Sequence, residues 1–163
     1  MAQLERKFAV DGQVRVSAKA IVVQDGRVLL IRNRDADGDW YCLPGGGQAH
    51  GETLPEALKR ECLEEIGCHV VVGRLLFVRD YIAEHHEFAE EDCGAHQVEL
   101  MFECQLAPGC APAVGDEPNG MQTGVAWVEL SALAHSRVYP RALRELLATG
   151  IPSQGPRYLG DVN

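Results

Sequence analysis

The sequence lacks long hydrophobic runs and contains few aromatic residues. Its unbroken apolar runs, such as Val28–Ile31, have only the length of a strand, whereas a membrane-spanning helix needs about 20 apolar residues. The first eight residues, Met1–Phe8, contain no apolar core of a signal peptide. These absences predict a cytoplasmic protein that is neither exported nor inserted in a membrane.

Basic residues are also scarce. The chain has 15 Lys and Arg against 24 Asp and Glu, which gives a formal net charge of −9 and a pI near 5.1. This balance opposes binding to a nucleic-acid backbone or an anionic membrane, since both need clustered positive charge. An anionic small-molecule substrate would need local positive charge, and a metal ion is the obvious source.

The cysteine pattern does not resemble that of a small secreted protein. The six cysteines form no CxxC pair, and disulfide-rich exported domains are denser in cysteine. We therefore expect reduced thiols that act as small apolar residues. A zinc site is the weaker alternative, because only Cys93 and His96 have ligand spacing; its candidate ligands are His85, His86, Cys93 and His96.

The 163 residues fit one domain, with a core over about 14–150 and a tail over 151–163. Alternating and β-branched segments predict strands, and a region with apolar residues at helical spacing predicts the main helix. The predicted strands are Val14–Val23, Arg27–Arg32, Val70–Val72, Leu75–Ile82, Gln97–Leu106 and Val125–Leu130, with a polar loop over Asn33–Asp39 and a terminal helix over Pro140–Thr149. Interleaved strands and helices predict an α/β fold with a mixed sheet.

The main helix carries an unusual group of carboxylates. Thr53 and Glu56 form a capping box at its start, and Gly67 is a left-handed stop at its end. A helical wheel places Glu61, Glu64 and Glu65 at the edge of the buried face. Two such charges about 6 Å apart repel by roughly 3 kcal/mol at an effective dielectric of 20. A solvent-exposed Glu-rich helix is the alternative, but a divalent cation such as Mg²⁺ would neutralise the cluster.

The spacing around these acids favours the metal. Gly46, five residues, Glu52, seven residues and then the segment Arg60–Cys68 match the pattern GX5EX7REUXEEXGU at all seven fixed identities. A chance match in a chain of this length is on the order of one in a million. On these residues the sequence resembles the Nudix hydrolases. It departs from many relatives at Ala49, three residues before Glu52, where they carry a further Glu.

The resemblance implies an α/β/α sandwich whose motif forms a loop–helix–loop, and a pyrophosphohydrolase that depends on Mg²⁺, with Mn²⁺ as a possible substitute. It implies catalytic roles for Arg60, Glu61 and Glu64. The metal ligands that it implies are Gly46 (through its carbonyl), Glu52 (in an outer position or through water), Glu61, Glu64 and Glu65.

The general base and the substrate contacts stay open at this point. Glu61 is the first candidate for the base, and an acid in the segment Glu84–Asp92 or Glu99 is the second. Candidate substrate contacts are Arg32, Arg34, Gly47 and Glu99.

The resemblance implies a small-molecule substrate, a nucleoside diphosphate linked to a further group. The short N-terminal extension and the absence of markers for other subfamilies favour nucleoside triphosphates. ADP-ribose or a nucleotide sugar is the alternative, and a Nudix domain that binds nucleotides without catalysis is a second one. The net charge argues against a partner RNA. The sequence allows a monomer or a homodimer.

Overall fold

The computed structural model describes residues 12–163, so the segment Met1–Phe8 lies outside it. The strands are β1 (Arg15–Ile21), β2 (Val23–Gln24), β3 (Arg27–Asp35), β4 (Gly38–Cys42), β5 (Gly45–Gly47), β6 (Val70–Ile82), β7 (His96–Leu106), β8 (Gln122–Glu129), β9 (Val138–Tyr139) and β10 (Arg157–Asp161). The helices are α1 (Leu54–Ile66) and α2 (Leu143–Leu146), with 3₁₀ turns over Ala83–His85 and Leu130–His135.

Two five-stranded sheets carry these elements. The first has the order β10-β6-β7-β1-β5 and is mixed: β7 pairs parallel to β1 and β10 parallel to β6, while β6 is antiparallel to β7 and β5 is antiparallel to β1. The second has the order β2-β3-β4-β9, and β8 pairs with β3. In the first sheet Ser17 of β1 pairs with Gly47 of β5 on one side and with Glu99 of β7 on the other. Strand β1 therefore lies between the glycine loop and the strand that carries Glu99.

Helix α1 begins and ends as the sequence predicts. The Thr53 side chain accepts the backbone N–H of Glu56, whose side chain in turn accepts the backbone N–H of Thr53. Gly67 ends the helix with φ 63°. The buried face of α1, including Leu58, Cys62 and Ile66, packs on Ala18 and Ala20 of β1.

The second apolar cluster lies around Ile21, Phe77 and Met101 and takes in Leu143 and Leu147 from the C-terminal helical segment. Layers of helix and mixed sheet confirm the predicted α/β class. No helix among residues 12–163 is long and apolar enough to cross a membrane.

Three predicted elements differ from the structure. Residues 33–39, predicted as a loop, form the hairpin of β3 and β4. The terminal helix predicted over Pro140–Thr149 is α-helical only at Leu143–Leu146, and the extended tail contains β10, which pairs parallel to β6. The hairpin has a polar sequence without alternating apolar residues. Its strands are defined by backbone hydrogen bonds, so the sequence pattern did not predict them.

The prediction that all six cysteines are reduced is wrong for two of them. Cys68 and Cys110 form a disulfide with their Cα atoms 5.9 Å apart, while Cys42, Cys62, Cys93 and Cys104 are free. The two partners are 42 residues apart in sequence, and they meet because the loop after β7 folds back onto the end of α1. The cysteine pattern therefore no longer supports a reducing compartment.

Candidate metal and catalytic site

Helix α1 places its acidic residues along one edge, between the buried face and solvent. The side chains of Glu61 and Glu64 are 13% and 25% exposed, and Glu65 is buried. The exposure of the three side chains follows the angular positions predicted from the sequence. The three carboxylates therefore belong to the wall of a site and not to a fully solvated helix face.

Arg60 links the acids of the motif. Its Nε and one Nη donate to the two oxygens of Glu52 at 2.7 and 3.0 Å, and its other Nη donates to Glu61 at 2.9 Å and to Glu64 at 3.3 Å. It also donates to the carbonyl of Gly47 at 3.0 Å. Glu52 holds the pKa of Arg60 above its usual range, and Arg60 lowers the pKa of Glu52 to about 2. The helix and the glycine loop are thus joined through one guanidinium group.

The glycine loop lies directly against the Glu61 carboxylate. A Cβ on Gly46 would lie 2.4 Å from the Glu61 carboxyl carbon, so a side chain cannot be accommodated there without moving Glu61. A Cβ on Gly47 would lie 2.6 Å from the Arg15 guanidinium. The loop therefore needs glycine at both positions because charged side chains approach its backbone.

Glu65 is held from the other side of the same loop. Its Oε2 accepts the backbone N–H of Gly45 at 2.9 Å. Burial raises the pKa of Glu65, although Lys19 and the Gly45 N–H act in the opposite direction. Burial thus opposes ionisation of this carboxyl group, and a nearby positive charge favours it.

The loop after β7 binds the C-terminal end of α1, a contact that the sequence did not predict. The backbone N–H groups of Ala113, Gly115 and Glu117 donate to the carbonyls of Ile66, Glu65 and Glu64 at 3.0–3.1 Å. Helix ends leave such carbonyls without intrahelical partners. This loop and its disulfide therefore fix the helix turn that carries Glu64 and Glu65.

Two cations of β1 lie beside these acids and are not among the site residues predicted from the sequence. Arg15 is attracted by Glu61, Glu99 and Glu65, while burial lowers its pKa. Lys19 donates from Nζ to the Gly45 carbonyl at 2.6 Å. Their signal in the sequence is the alternation in Arg15–Ile21, where polar side chains at every second position face away from buried Ala18 and Ala20.

Glu99, a candidate base and substrate contact in the sequence, is buried. Its two oxygens accept Nε of Arg79 at 2.6 Å and Nε2 of Gln97 at 3.0 Å. Burial opposes ionisation of Glu99, but Arg79, Lys19 and Arg15 outweigh it and hold its pKa below the usual range. Glu99 is therefore the counter-ion of a buried cluster of cations.

The two other predicted cations make their contacts elsewhere. Arg32 donates to the carbonyl of Thr123 at 3.4 Å and packs on Gly124, and exposed Arg34 pairs with Asp39 at 2.6 Å.

The acids of the segment Glu84–Asp92 also have partners outside the motif. The Tyr81 hydroxyl donates to Asp92, Glu84 accepts the N–H of Gly94, and Glu87 pairs with Arg141.

The three histidines considered as zinc ligands pair with aspartates and not with Cys93. His85 and His86 both hydrogen-bond Asp161 at 2.7 Å, and His96 lies 3.6 Å from Asp80. Within residues 12–163, no three His, Cys, Asp or Glu side chains converge closely enough to hold a metal ion as they stand. The motif acids are nevertheless a suitable donor set for Mg²⁺, because Glu52, Glu61 and Glu64 share one guanidinium and all offer oxygen ligands.

The chain is similar to known proteins in sequence and in structure. The family model described as NUDIX domain matches residues 13–149. The 8-oxo-dGDP phosphatase NUDT18 of Homo sapiens is 44% identical over 59 residues, which are 35% of this chain and 18% of that protein. An ADP-ribose pyrophosphatase of Methanocaldococcus jannaschii is 29% identical over 98 residues, 60% of this chain and 54% of that one. The chain thus spans less than two thirds of the length of these curated relatives.

A solved structure supports the same relationship. The crystal structure of a MutT NUDIX hydrolase from Burkholderia pseudomallei matches with a TM-score of 0.56 and 32% identity, and the match covers 73% of this chain and 85% of that chain.

Proposed function

Because this chain belongs to the NUDIX family, we propose that it hydrolyses a phosphoric anhydride bond in a nucleoside diphosphate linked to a further group, with Mg²⁺ or Mn²⁺ as cofactor. The observation that carries the proposal is the link made by Arg60 between Glu52, Glu61 and Glu64. Three carboxylates around one guanidinium group leave a net negative charge, which a bound divalent cation would neutralise.

The metal would be held by the carboxylates of α1 and by the glycine loop. Glu61, Glu64 and Glu65 supply the carboxylate oxygens, the Gly46 carbonyl adds a neutral one, and Glu52 acts from outside through Arg60. When bound, a divalent cation neutralises phosphate charge and acidifies a water molecule that attacks phosphorus.

Glu61 is the proposed general base. Its carboxylate lies against Gly46, and Arg60 fixes one of its oxygens at 2.9 Å. Glu99, the alternative base, already accepts hydrogen bonds on both oxygens. We assign Glu99 to charge balance beneath the site, with Arg60 and Glu64 orienting Glu61. Proton removal by a positioned carboxylate contributes typically 10²–10⁴-fold to a rate.

For the substrate, nucleoside triphosphates stay the leading candidate, with ADP-ribose and nucleotide sugars as the second. The names of the curated relatives include both a nucleotide phosphatase and an ADP-ribose pyrophosphatase, so both classes belong in the test. Arg15 supplies positive charge beside Gly47 for either, in addition to the predicted substrate contacts Arg32, Arg34 and Gly47.

The test is a substrate panel with product identification by chromatography. Nucleoside diphosphates and triphosphates, ADP-ribose, nucleotide sugars and dinucleoside polyphosphates are incubated with the full chain in Mg²⁺ or in EDTA. Turnover of one class that EDTA abolishes is the expected result and names the substrate. Nucleotide binding without turnover by a folded protein that binds Mg²⁺ would instead identify a non-catalytic binding domain.

A further inference from the structure

Lys19 lies behind the carboxylates of the motif, and the proposed hydrolysis leaves it without a role. It is at the centre of β1, between the fully buried Ala18 and Ala20. Its register partner in β5 is Gly45, and its Nζ donates to the Gly45 carbonyl at 2.6 Å. Burying part of an unpaired ammonium group costs free energy. The hydrogen bond to Gly45 therefore stabilises the lysine at this position.

Gly45 connects Lys19 to the metal-binding helix. The same glycine that accepts Lys19 on its carbonyl donates its N–H to Oε2 of Glu65 at 2.9 Å. Its φ of 124° and a clash of any Cβ with the Ala18 carbonyl at 2.2 Å exclude a side chain here. The result is a continuous path from the Lys19 ammonium through one peptide segment to the Glu65 carboxylate. The Gly45 carbonyl also belongs to the peptide that precedes Gly46.

Electrostatic attraction acts between the two ends of this path. Lys19 attracts both Glu65 and Glu99, which are buried on either side of it. Glu99 is also paired with Arg79, and Glu65 also accepts the Gly45 N–H. Lys19 therefore adds an electrostatic attraction towards Glu65 to the hydrogen-bonded path, beside that of Arg15.

We propose that Lys19 is a positioning residue, which holds the Gly45 peptide and thereby orients the Glu65 carboxylate for the divalent cation. This inference rests on the proposed metal-dependent function. Lys19 acts through Gly45 and Glu65 and does not itself contact the metal. Groups that orient metal ligands from outside typically contribute 10- to 100-fold to metal affinity.

Two other roles predict different results. If Lys19 acted only through its charge, its removal would strengthen cation binding at a pH where the acids of the site are ionised, because a positive charge near the site repels a cation. If it only stabilised the fold, its removal would lower the melting temperature and leave the affinity unchanged. The positioning role predicts weaker cation binding although a positive charge has been removed. The sign of the change therefore distinguishes the three.

The experiment titrates the full chain with Mn²⁺ alone and measures free Mn²⁺ by electron paramagnetic resonance. Lys19→Met removes donor and charge, Lys19→Arg retains both, and Lys59→Met is the matched control on the exposed face of α1. We expect the Mn²⁺ Kd to rise about tenfold or more in Lys19→Met, with Lys19→Arg within about threefold of wild type and Lys59→Met unchanged. Circular dichroism verifies folding, and Lys19→Gln replaces Lys19→Met if the latter does not fold.

Unchanged or tighter Mn²⁺ binding by folded Lys19→Met would overturn the inference. If the wild type hydrolyses nucleotides in a Mn²⁺-dependent way in that case, the proposed function survives and only the role of Lys19 fails. If the wild type binds Mn²⁺ but hydrolyses nothing, the proposed function fails while the affinities still test Lys19. A wild type that binds no Mn²⁺ overturns both.

Discussion

Replacing Arg60 with methionine removes the cation that Glu52, Glu61 and Glu64 share. Methionine has nearly the same helix propensity as arginine, so the substitution tests the charge network and not the helix. A hydrogen bond to a charged group is worth about 1.5–3 kcal/mol, and the partial exposure of Arg60 reduces the Glu61 contact to about 1–2 kcal/mol. Uncompensated repulsion between Glu61 and Glu64 adds roughly 1 kcal/mol, because solvent screens these partly exposed side chains below the value at a dielectric of 20.

We therefore expect Arg60→Met to lose about 2–3 kcal/mol of unfolding free energy at pH 7 in EDTA. For a chain of this size each kcal/mol lowers Tm by about 2–4 °C, so the expected decrease is about 4–12 °C. The assay is thermal unfolding at low salt, with Lys59→Met as the control on the same helix. A Tm within about 1 °C of wild type would refute the view that Arg60 balances the acids.

The pH dependence of this difference gives a second check. Arg60 lowers the pKa of Glu52 from 4.5 to about 2. A carboxyl group whose pKa is lowered in the folded state contributes stability above its unfolded pKa and loses it as the pH falls. The difference in Tm between wild type and Arg60→Met should therefore shrink as the pH decreases from about 5 to about 2. A constant difference over that range would contradict the assigned pairing.

Three further substitutions test separate parts of the site. Gly46→Ala displaces the Glu61 carboxylate, which a Cβ would approach to 2.4 Å, so kcat should fall by about 10²-fold or more; a near-normal kcat in steady-state assays would contradict this geometry. Glu65→Gln removes a carboxyl group, and burial raises the pKa of that group. A carboxyl group with a raised pKa lowers the stability of the folded protein as the pH rises. The Tm of Glu65→Gln in EDTA at pH 8 should exceed that of wild type while Mn²⁺ binding weakens, and a lower Tm would argue against the buried charge. Cys110→Ser opens a loop of 42 residues and should cost about 4 kcal/mol in denaturant unfolding; an unchanged midpoint relative to Cys93→Ser would show that the disulfide does not form.

The sequence predicted the elements with strong local signals. The capping box and Gly67 defined helix α1, because these contacts lie within a few residues. The positions of Glu61 and Glu65 at the edge of the buried face followed from helix periodicity alone. Alternation likewise predicted β7, although it could not show that the polar face containing Glu99 would be buried.

The parts that the sequence did not predict depend on contacts between distant segments. Cys68 and Cys110 meet only because the loop after β7 returns to the helix end. Lys19 joins the site because β5 pairs with β1, and the short, glycine-only β5 carries no side-chain pattern. The cations selected from the sequence, Arg32 and Arg34, make contacts with Thr123 and Asp39. Strand pairing brings Lys19 closer to the motif.

The most direct test of the proposed activity is the kcat of Glu61→Gln on the best substrate of the panel, in saturating Mg²⁺. The exchange keeps the size of the side chain and removes the base and a metal ligand, while Glu145→Gln on α2 is the matched control. We predict that Glu61→Gln loses at least about 10²-fold in kcat and that Glu145→Gln retains wild-type activity. A Glu61→Gln protein with a kcat within a few-fold of wild type would contradict the account.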